Sequence, residues 1–444
     1  MDGVTLYNRS GSGKLSLSNM AIYLLVFICM FIPRRLSIGI DVYKIFLLIA
    51  LGFVLKSSSG KLAMKMKEFN VFMLLFFGMA FFRYFIDFNM ITGMGLFLDT
   101  LVMMFLSATL FCNKNNFAKF VRVFAIGLIF YSILCIIESF TNFNVFDIIS
   151  GKSLGGFAAN SMRYGINRSY GSFTTSINNG LFLSLASGLV FYFAINSQKG
   201  KKIYGWSCAL SAIACILTLS RGPLLGLVIF YVACLMKAGF YRVIQRHTLH
   251  TIVIIFLICC LFVIPQTRNA ILAFYNMFAA IFDSDAASNI ASSFGTNAKG
   301  VGNRLELVSW VWESIEGNEA FGVGTMTKFA YNFLANTNQY LVKTSIENHF
   351  LYVLYQFGVV GLILFCLFWF NEIILFVRRI KKKKLQGLKD FDFFMLITVI
   401  EYLIVITTVA SSDDIRFVYL LLGMSAAYMQ LYNNGTWDTV LKRI

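Results

Sequence analysis

Residues Glu347–Phe370 read ENHFLYVLYQFGVVGLILFCLFWF, one carboxylate followed by no Asp, Lys or Arg as far as Phe370. A helix crosses the hydrocarbon core of a bilayer with roughly 20 apolar residues, so this stretch reads as a membrane helix that opens at Glu347. The same pattern recurs on either side of it. Apolar runs lie near 19–34, 37–55, 70–88, 91–112, 118–139, 173–195, 204–220, 222–237, 250–265, 347–370, 391–410 and 416–432. They predict an all-α polytopic membrane protein of about twelve transmembrane helices. Composition agrees: of 444 residues 58% are hydrophobic and only 13% charged, against about 25% charged in soluble domains. A water-soluble globule is excluded. Phe occurs 48 times and Pro 3 times, which suits long helices facing lipid.

The net charge of +17 takes its meaning from where the cations fall. With the amino terminus inside, the runs Lys56–Lys67, Lys199–Lys202, Lys237–Arg246 and Arg378–Lys384 all fall in internal loops. That is the positive-inside bias, so the basic runs set topology and meet membrane lipid rather than nucleic acid. The first 18 residues are polar without a cleavable signal pattern, and the first apolar segment is expected to stay as an anchor. The cysteines, Cys29, Cys112 and Cys215 among them, lie in apolar stretches with no metal spacing and read as small buried hydrophobes.

This topology divides the chain into helices and a first external loop over 1–172, middle helices over 173–265, a long external loop over 266–346, and final helices over 347–444. A loop of about 80 residues that is not low-complexity is a place for function. Within it Asn303–Gly317, NRLELVSWVWESIEG, reads as a short helix started at Asn303 and stopped by Gly317. Trp310 and Trp312 suggest that it rests at the membrane interface.

Some chemistries are excluded by pattern. The chain has no G-x-x-x-x-G-K-[ST] loop and no H-E-x-x-H, and it holds three His, so nucleotide hydrolysis and zinc catalysis lack their usual residues. The external arginines Arg163, Arg168, Arg221 and Arg304 stand instead against the charge bias. A guanidinium fork binds diphosphate oxygens in pairs and stays charged in an apolar setting. The plainer alternative is snorkelling, or pairing with Glu138, Asp413 or Asp414. Thr344-x-x-Glu347 fits a capping box. A helix start there would also face an anionic ligand, with Glu347 or His349 as proton acceptor. Glu401 and Lys44 inside spans leave a transporter open as an alternative.

Taken in order, the motifs resemble a known family. They are R-x-Y-G-S-F-x-x-x-I-N-N from Arg168, L-T-L-S-R-G ending at Gly222, R-L-x-L-x-x-W from Arg304, F-G-V-G over 321–324, and E-N-H-F-L-x-x-L-x-x-F-G-V-V-G from Glu347. Over about 160–365 the chain resembles the O-antigen polymerase and ligase superfamily, while the first third matches in hydropathy only. The resemblance implies a glycosyltransferase C-like architecture with a long external loop containing short helices. It implies transfer of a glycan from undecaprenyl diphosphate at the periplasmic face of the bacterial inner membrane, with neither cofactor nor metal. A chain-length regulator protein would be a partner. Arg168, Arg221 and Arg304 fall on the family's basic positions, Arg163 is a neighbour, and Asn178 and Asn348 are expected to touch substrate. The family's last motif often reads H-N-x-[YF]-L, so its His position is Glu347 here and His349 falls on the variable one. That favours a polymerase, with Arg304, Glu347 and His349 as catalytic candidates, over a ligase acting on lipid A-core or a glycolipid flippase.

Overall fold

The structure, a computed structural model, describes residues 16–34, 36–37, 41–57, 70–151, 162–163, 166–238, 302–334, 340–383, 390–409 and 416–444. Its helices are α1 (Leu17–Met30), α2 (Val42–Ser57), α3 (Val71–Ile86), α4 (Met90–Phe111, with a π-helical turn at Leu98–Val102), α5 (Lys114–Thr141) and the short α6 (Val145–Ser150). After the two-residue strands β1 (Met162–Arg163) and β2 (Ile166–Asn167) come α7 (Ser176–Asn196), α8 (Lys201–Leu217) and α9 (Arg221–Ala238). Then follow α10 (Gly302–Ser314), β3 (Tyr331–Leu334), β4 (Tyr340–Lys343), α11 (His349–Lys383), α12 (Phe391–Ile406), α13 (Arg416–Asn433) and α14 (Trp437–Arg443). The strands form two antiparallel pairs, minor additions to a helical protein.

Helices coincide with every expected span except 250–265, which lies outside the described residues together with 266–301 and 335–339 of the long loop. Four of them, Met90–Phe111, Lys114–Thr141, Ser176–Asn196 and His349–Lys383, are long and apolar enough to cross a membrane. Side-chain caps set several starts, because the first N–H groups of a helix lack intrahelical partners. Asn70 accepts from Phe72 N (3.0 Å), Asn113 from Asn115 N (2.9 Å), and Thr175 from Asn178 N (3.2 Å). One core of rings and aliphatic side chains joins the bundle, as where Phe417 of α13 stacks on Phe124 of α5 (5.5 Å) and meets Phe182 of α7 edge-on (4.9 Å). The α10 helix appears where Asn303–Gly317 was expected, and Gly317 (φ 79°) follows its last turn. Trp310 is buried and stacks on Tyr331 (5.3 Å), whereas Trp312 is exposed.

The helix ends sort into two layers, as an alternating path requires. At one end, here termed upper, Arg34 N bonds Ser172 O (2.9 Å), Arg168 reaches the α8–α9 turn, and Asp87 holds Thr325. At the lower end Gln198 N bonds Leu441 O (3.1 Å), and Lys383 pairs with Asp392 at the start of α12.

The structure corrects the expectation for the apolar run near 347–370. The stretch 347–370 is not a single helix opening at Glu347. Gly358 has φ 69° and ψ −168°, a region that is essentially glycine-only, and here the chain folds back on itself. In a straight helix Phe365 would lie about 24 Å beyond His349, yet their rings are 5.4 Å apart. So α11 is a short arm, His349 to Phe357, laid against the head of the helix that runs from Val359 to Lys383. The first N–H groups after the fold are satisfied from outside. Val359 N bonds Glu319 O (2.8 Å) and Val360 N bonds Ala320 O (3.1 Å), while Tyr355 O accepts from Val323 N (2.9 Å). Two motifs apart in sequence, F-G-V-G and F-G-V-V-G, thus meet backbone to backbone. A Cβ on Gly322 would lie 2.6 Å from Gly358 N, and one on Gly358 would lie 2.4 Å from Ala320 O. The supplying loop is itself held, since Gly317 N donates to Glu319 Oε1 (2.9 Å) and keeps that carboxyl below the usual carboxylate range.

Candidate functional site

The segment from Arg168 to Phe173 is a loop at the upper end, and a buried carboxylate anchors it. Glu138, near the end of α5, accepts on Oε1 from Asn144 Nδ2 (2.9 Å) and Tyr170 N (3.1 Å). On Oε2 it accepts from Ser169 Oγ (2.9 Å) and Gly171 N (3.0 Å). All four acceptor positions of the carboxylate are used, by neutral donors and not by an arginine. Among the described residues Glu138 thus serves as a loop clamp and not as an arginine's partner, while Asp413 and Asp414 lie outside them. On the far side of the loop Asn179 Nδ2 reaches Ser169 O (3.3 Å), and Asn179 Oδ1 accepts from Tyr131 OH (2.7 Å). Gly171 sits at φ 52°, and a Cβ there would lie 2.2 Å from Tyr131 Oη.

The clamp presents Arg168 to the turn between α8 and α9. Its Nε donates to Thr218 O (3.1 Å) and its Nη2 to Ser220 Oγ (2.8 Å). Between those two partners Leu219 takes a left-handed conformation (φ 49°), which costs a residue with a Cβ on the order of 1 kcal/mol and persists only where neighbours hold it. Arg221 follows directly, in the first turn of α9, and Gly222 packs against Thr408 at the end of α12. Two of the arginines singled out by sequence are so brought to one turn. Asn178, one turn into α7, is buried and its Oδ1 has no hydrogen-bond partner. Arg163 stands on β1 and Arg304 on α10, but their side chains lie outside the described part.

Glu347, Asn348 and His349 separate sharply. The capping-box expectation is corrected: the helix begins at His349, and Asn348 Oδ1 caps it by accepting from Phe350 N (2.9 Å) and Leu351 N (3.3 Å). Glu347 lies before the helix and is exposed, while His349 is buried between the rings of Tyr352 (6.0 Å) and Phe365 (5.4 Å). The start of the helix at His349 separates the two. Asn348 Oδ1 is committed to the backbone, so Asn348→Ala is expected to cost about 1 kcal/mol, read as a lower unfolding midpoint in detergent, whereas Asn348→Asp should keep the cap.

Reading by pattern missed a second arginine group. Arg416, at the start of α13, is 1% exposed and lies 3.5 Å from the centre of the Tyr43 ring. Arg34 approaches the same Tyr43 ring at 5.2 Å and that of Phe173 at 4.9 Å. Tyr43 OH donates to Asp99 Oδ2 (2.8 Å) in the π-helical turn of α4. The signal available was an arginine at the head of an apolar span. Lys44 pairs with Asp41 (2.6 Å), and Glu401 is fully buried with its side chain toward Gly226 of α9. Among the described residues no three His, Cys, Asp or Glu side chains gather to hold a metal ion.

None of the curated proteins matches this chain. Residues 206–366 match the family described as O-antigen ligase (Wzy_C), an interval that includes Arg221, Arg304, Glu347, Asn348, His349 and both glycine motifs of the folded-back helix. The match spans about a third of the chain and, with the apolar helices and the order of motifs, makes this a membrane protein similar over that interval to the O-antigen ligase family.

Proposed function

We propose that the protein is a polysaccharide polymerase that transfers a glycan from undecaprenyl diphosphate to a second lipid-linked repeat unit. The upper end would face the periplasm, across the bacterial inner membrane. The observation that carries this reading is the Arg168 clamp on the strained turn that leads into Arg221. It concentrates guanidinium groups at the end of the bundle where a lipid headgroup would lie. Negative charge grows on the diphosphate as the glycosidic bond breaks, and fixed cations that meet it there lower the barrier. Arg304, on the helix over the same interval of the family match, would add to this charge. Glu347 is exposed just before the helix, a position that suits a group taking the acceptor's proton, and His349 would shape the site from its ring pocket. Glu347 at the family's usual His position favours the polymerase over the ligase.

Deleting the gene tests the reading. The surface glycan should then carry a single repeat unit, with the ladder of longer chains lost on a gel. A surface lacking even that unit, with long lipid-linked polymer accumulating in the membrane, would identify a ligase.

A further inference from the structure

A cavity of about 730 Å³ opens beside the arm of α11, between it and the chain on either side of the β3–β4 hairpin. Its walls include Asn89, Thr325, Ser345, Tyr352, Tyr355 and Gln356, and among the described lining residues Lys328 brings the one formal charge. Gln356 is 6% exposed, its Nε2 donates to Tyr352 OH (2.7 Å), and its Oε1 has no hydrogen-bond partner. A buried amide oxygen left unsatisfied costs free energy, and this one belongs to a residue that lines a cavity large enough for a ligand. Amide and hydroxyl groups set among phenol rings, with little charge, suit a polyhydroxylated neutral molecule: hydroxyls bond to the polar groups while the C–H faces lie on rings. A lipid chain would leave those polar groups unsatisfied, and a diphosphate would meet one lysine among the described lining residues.

We propose that this cavity is an oligosaccharide subsite, holding the neutral glycan part of a lipid-linked substrate with Gln356 as its buried hydrogen-bond acceptor. The inference rests on the polymerase reading for the substrate's identity, and it gives that reading a geometry. The segment that lines the cavity at Thr344–Ile346 runs directly into Glu347, and the ring of Tyr352 also packs on His349. Sugar held here would therefore lie beside the candidate proton acceptor, separate from the Arg168–Arg221 turn that meets the diphosphate. The same chemistry fits the donor's glycan or the acceptor's.

The test uses the full chain in nanodiscs with two probes: the host's repeat-unit oligosaccharide released from its lipid, and undecaprenyl diphosphate carrying no sugar. Gln356→Leu keeps bulk and removes the amide, and Tyr352→Phe keeps the ring and removes the hydroxyl that Gln356 bonds. Each should weaken oligosaccharide binding by about fivefold to tenfold and leave the sugar-free lipid unaffected, with the same thermal midpoint as wild type. In turnover, a raised KM for acceptor at unchanged kcat places the acceptor glycan in the cavity; a raised KM for donor places the donor's. Wild-type oligosaccharide binding by both variants overturns the subsite while leaving the polymerase reading intact. Equal weakening of both probes overturns it in favour of a lipid-diphosphate or purely structural role. A wild-type protein that binds neither probe overturns both readings.

Discussion

Membranes carrying Arg221→Ala are expected to make about 100- to 1000-fold less polymer than wild type at equal protein level, the usual cost of removing one fixed donor to transition-state charge. Arg221→Lys should restore only part of the loss, because lysine keeps the charge but not the paired donors that match two phosphate oxygens. The effect should extend to Arg168 by a different route. Arg168 bonds both Thr218 O and Ser220 Oγ around Leu219, so Arg168→Ala removes the hold on a left-handed residue and lets the turn relax. Arg221 is then misplaced without being altered. In the double variant the two losses should therefore fall short of adding, since groups in one network couple. The measurement is chain length and amount of polymer on a gel, with the protein quantified in the same membranes. Wild-type ladders from Arg221→Ala would remove this turn from the site.

The second large effect is structural. Gly358→Ala is expected to destabilise the fold by on the order of 3 kcal/mol or more, through a backbone region closed to residues with a Cβ and a contact that cannot relax. The added carbon would meet Ala320 C and O at 2.4 Å, both backbone atoms. Relief would require the 318–323 loop to lift away, breaking the bonds from Val359 N and Val360 N and opening the arm that carries His349. The expected readout is a sharp fall in folded protein recovered from membranes and a lower unfolding midpoint in detergent. Gly205→Ala is the control: it lies inside α8 with nothing within 4 Å of an added Cβ, and alanine there should be neutral or slightly stabilising. A Gly358→Ala protein as stable as wild type would mean that α11 runs straight.

The sequence by itself determined the class of the molecule and the position of its helices. Runs of apolar residues such as 118–139 are bounded by caps and charges, and neither depends on what lies elsewhere in the chain, so α5 and its neighbours could be placed from local pattern. The short helix after Asn303 and the family resemblance were legible for the same reason: each rests on residue types at fixed spacing. What the tertiary structure decided is how distant segments meet. Hydropathy counts apolar residues and is blind to one φ angle, so 347–370 read as a continuous helix although Gly358 folds it back onto Phe365. Thr344 and Glu347 satisfied a capping pattern, yet Asn348 took the cap, because the choice among adjacent polar residues depends on where the neighbouring loop holds the chain. Glu138 could be seen as a carboxylate near an arginine-bearing loop, but only the fold gave it four neutral donors. Tyr43, Asp99 and Arg416 come from three helices and Arg34 from the loop after α1, and Gln356 lines a cavity walled by Asn89 and Thr325. Such contacts cross hundreds of residues and are set by packing, which no local pattern encodes.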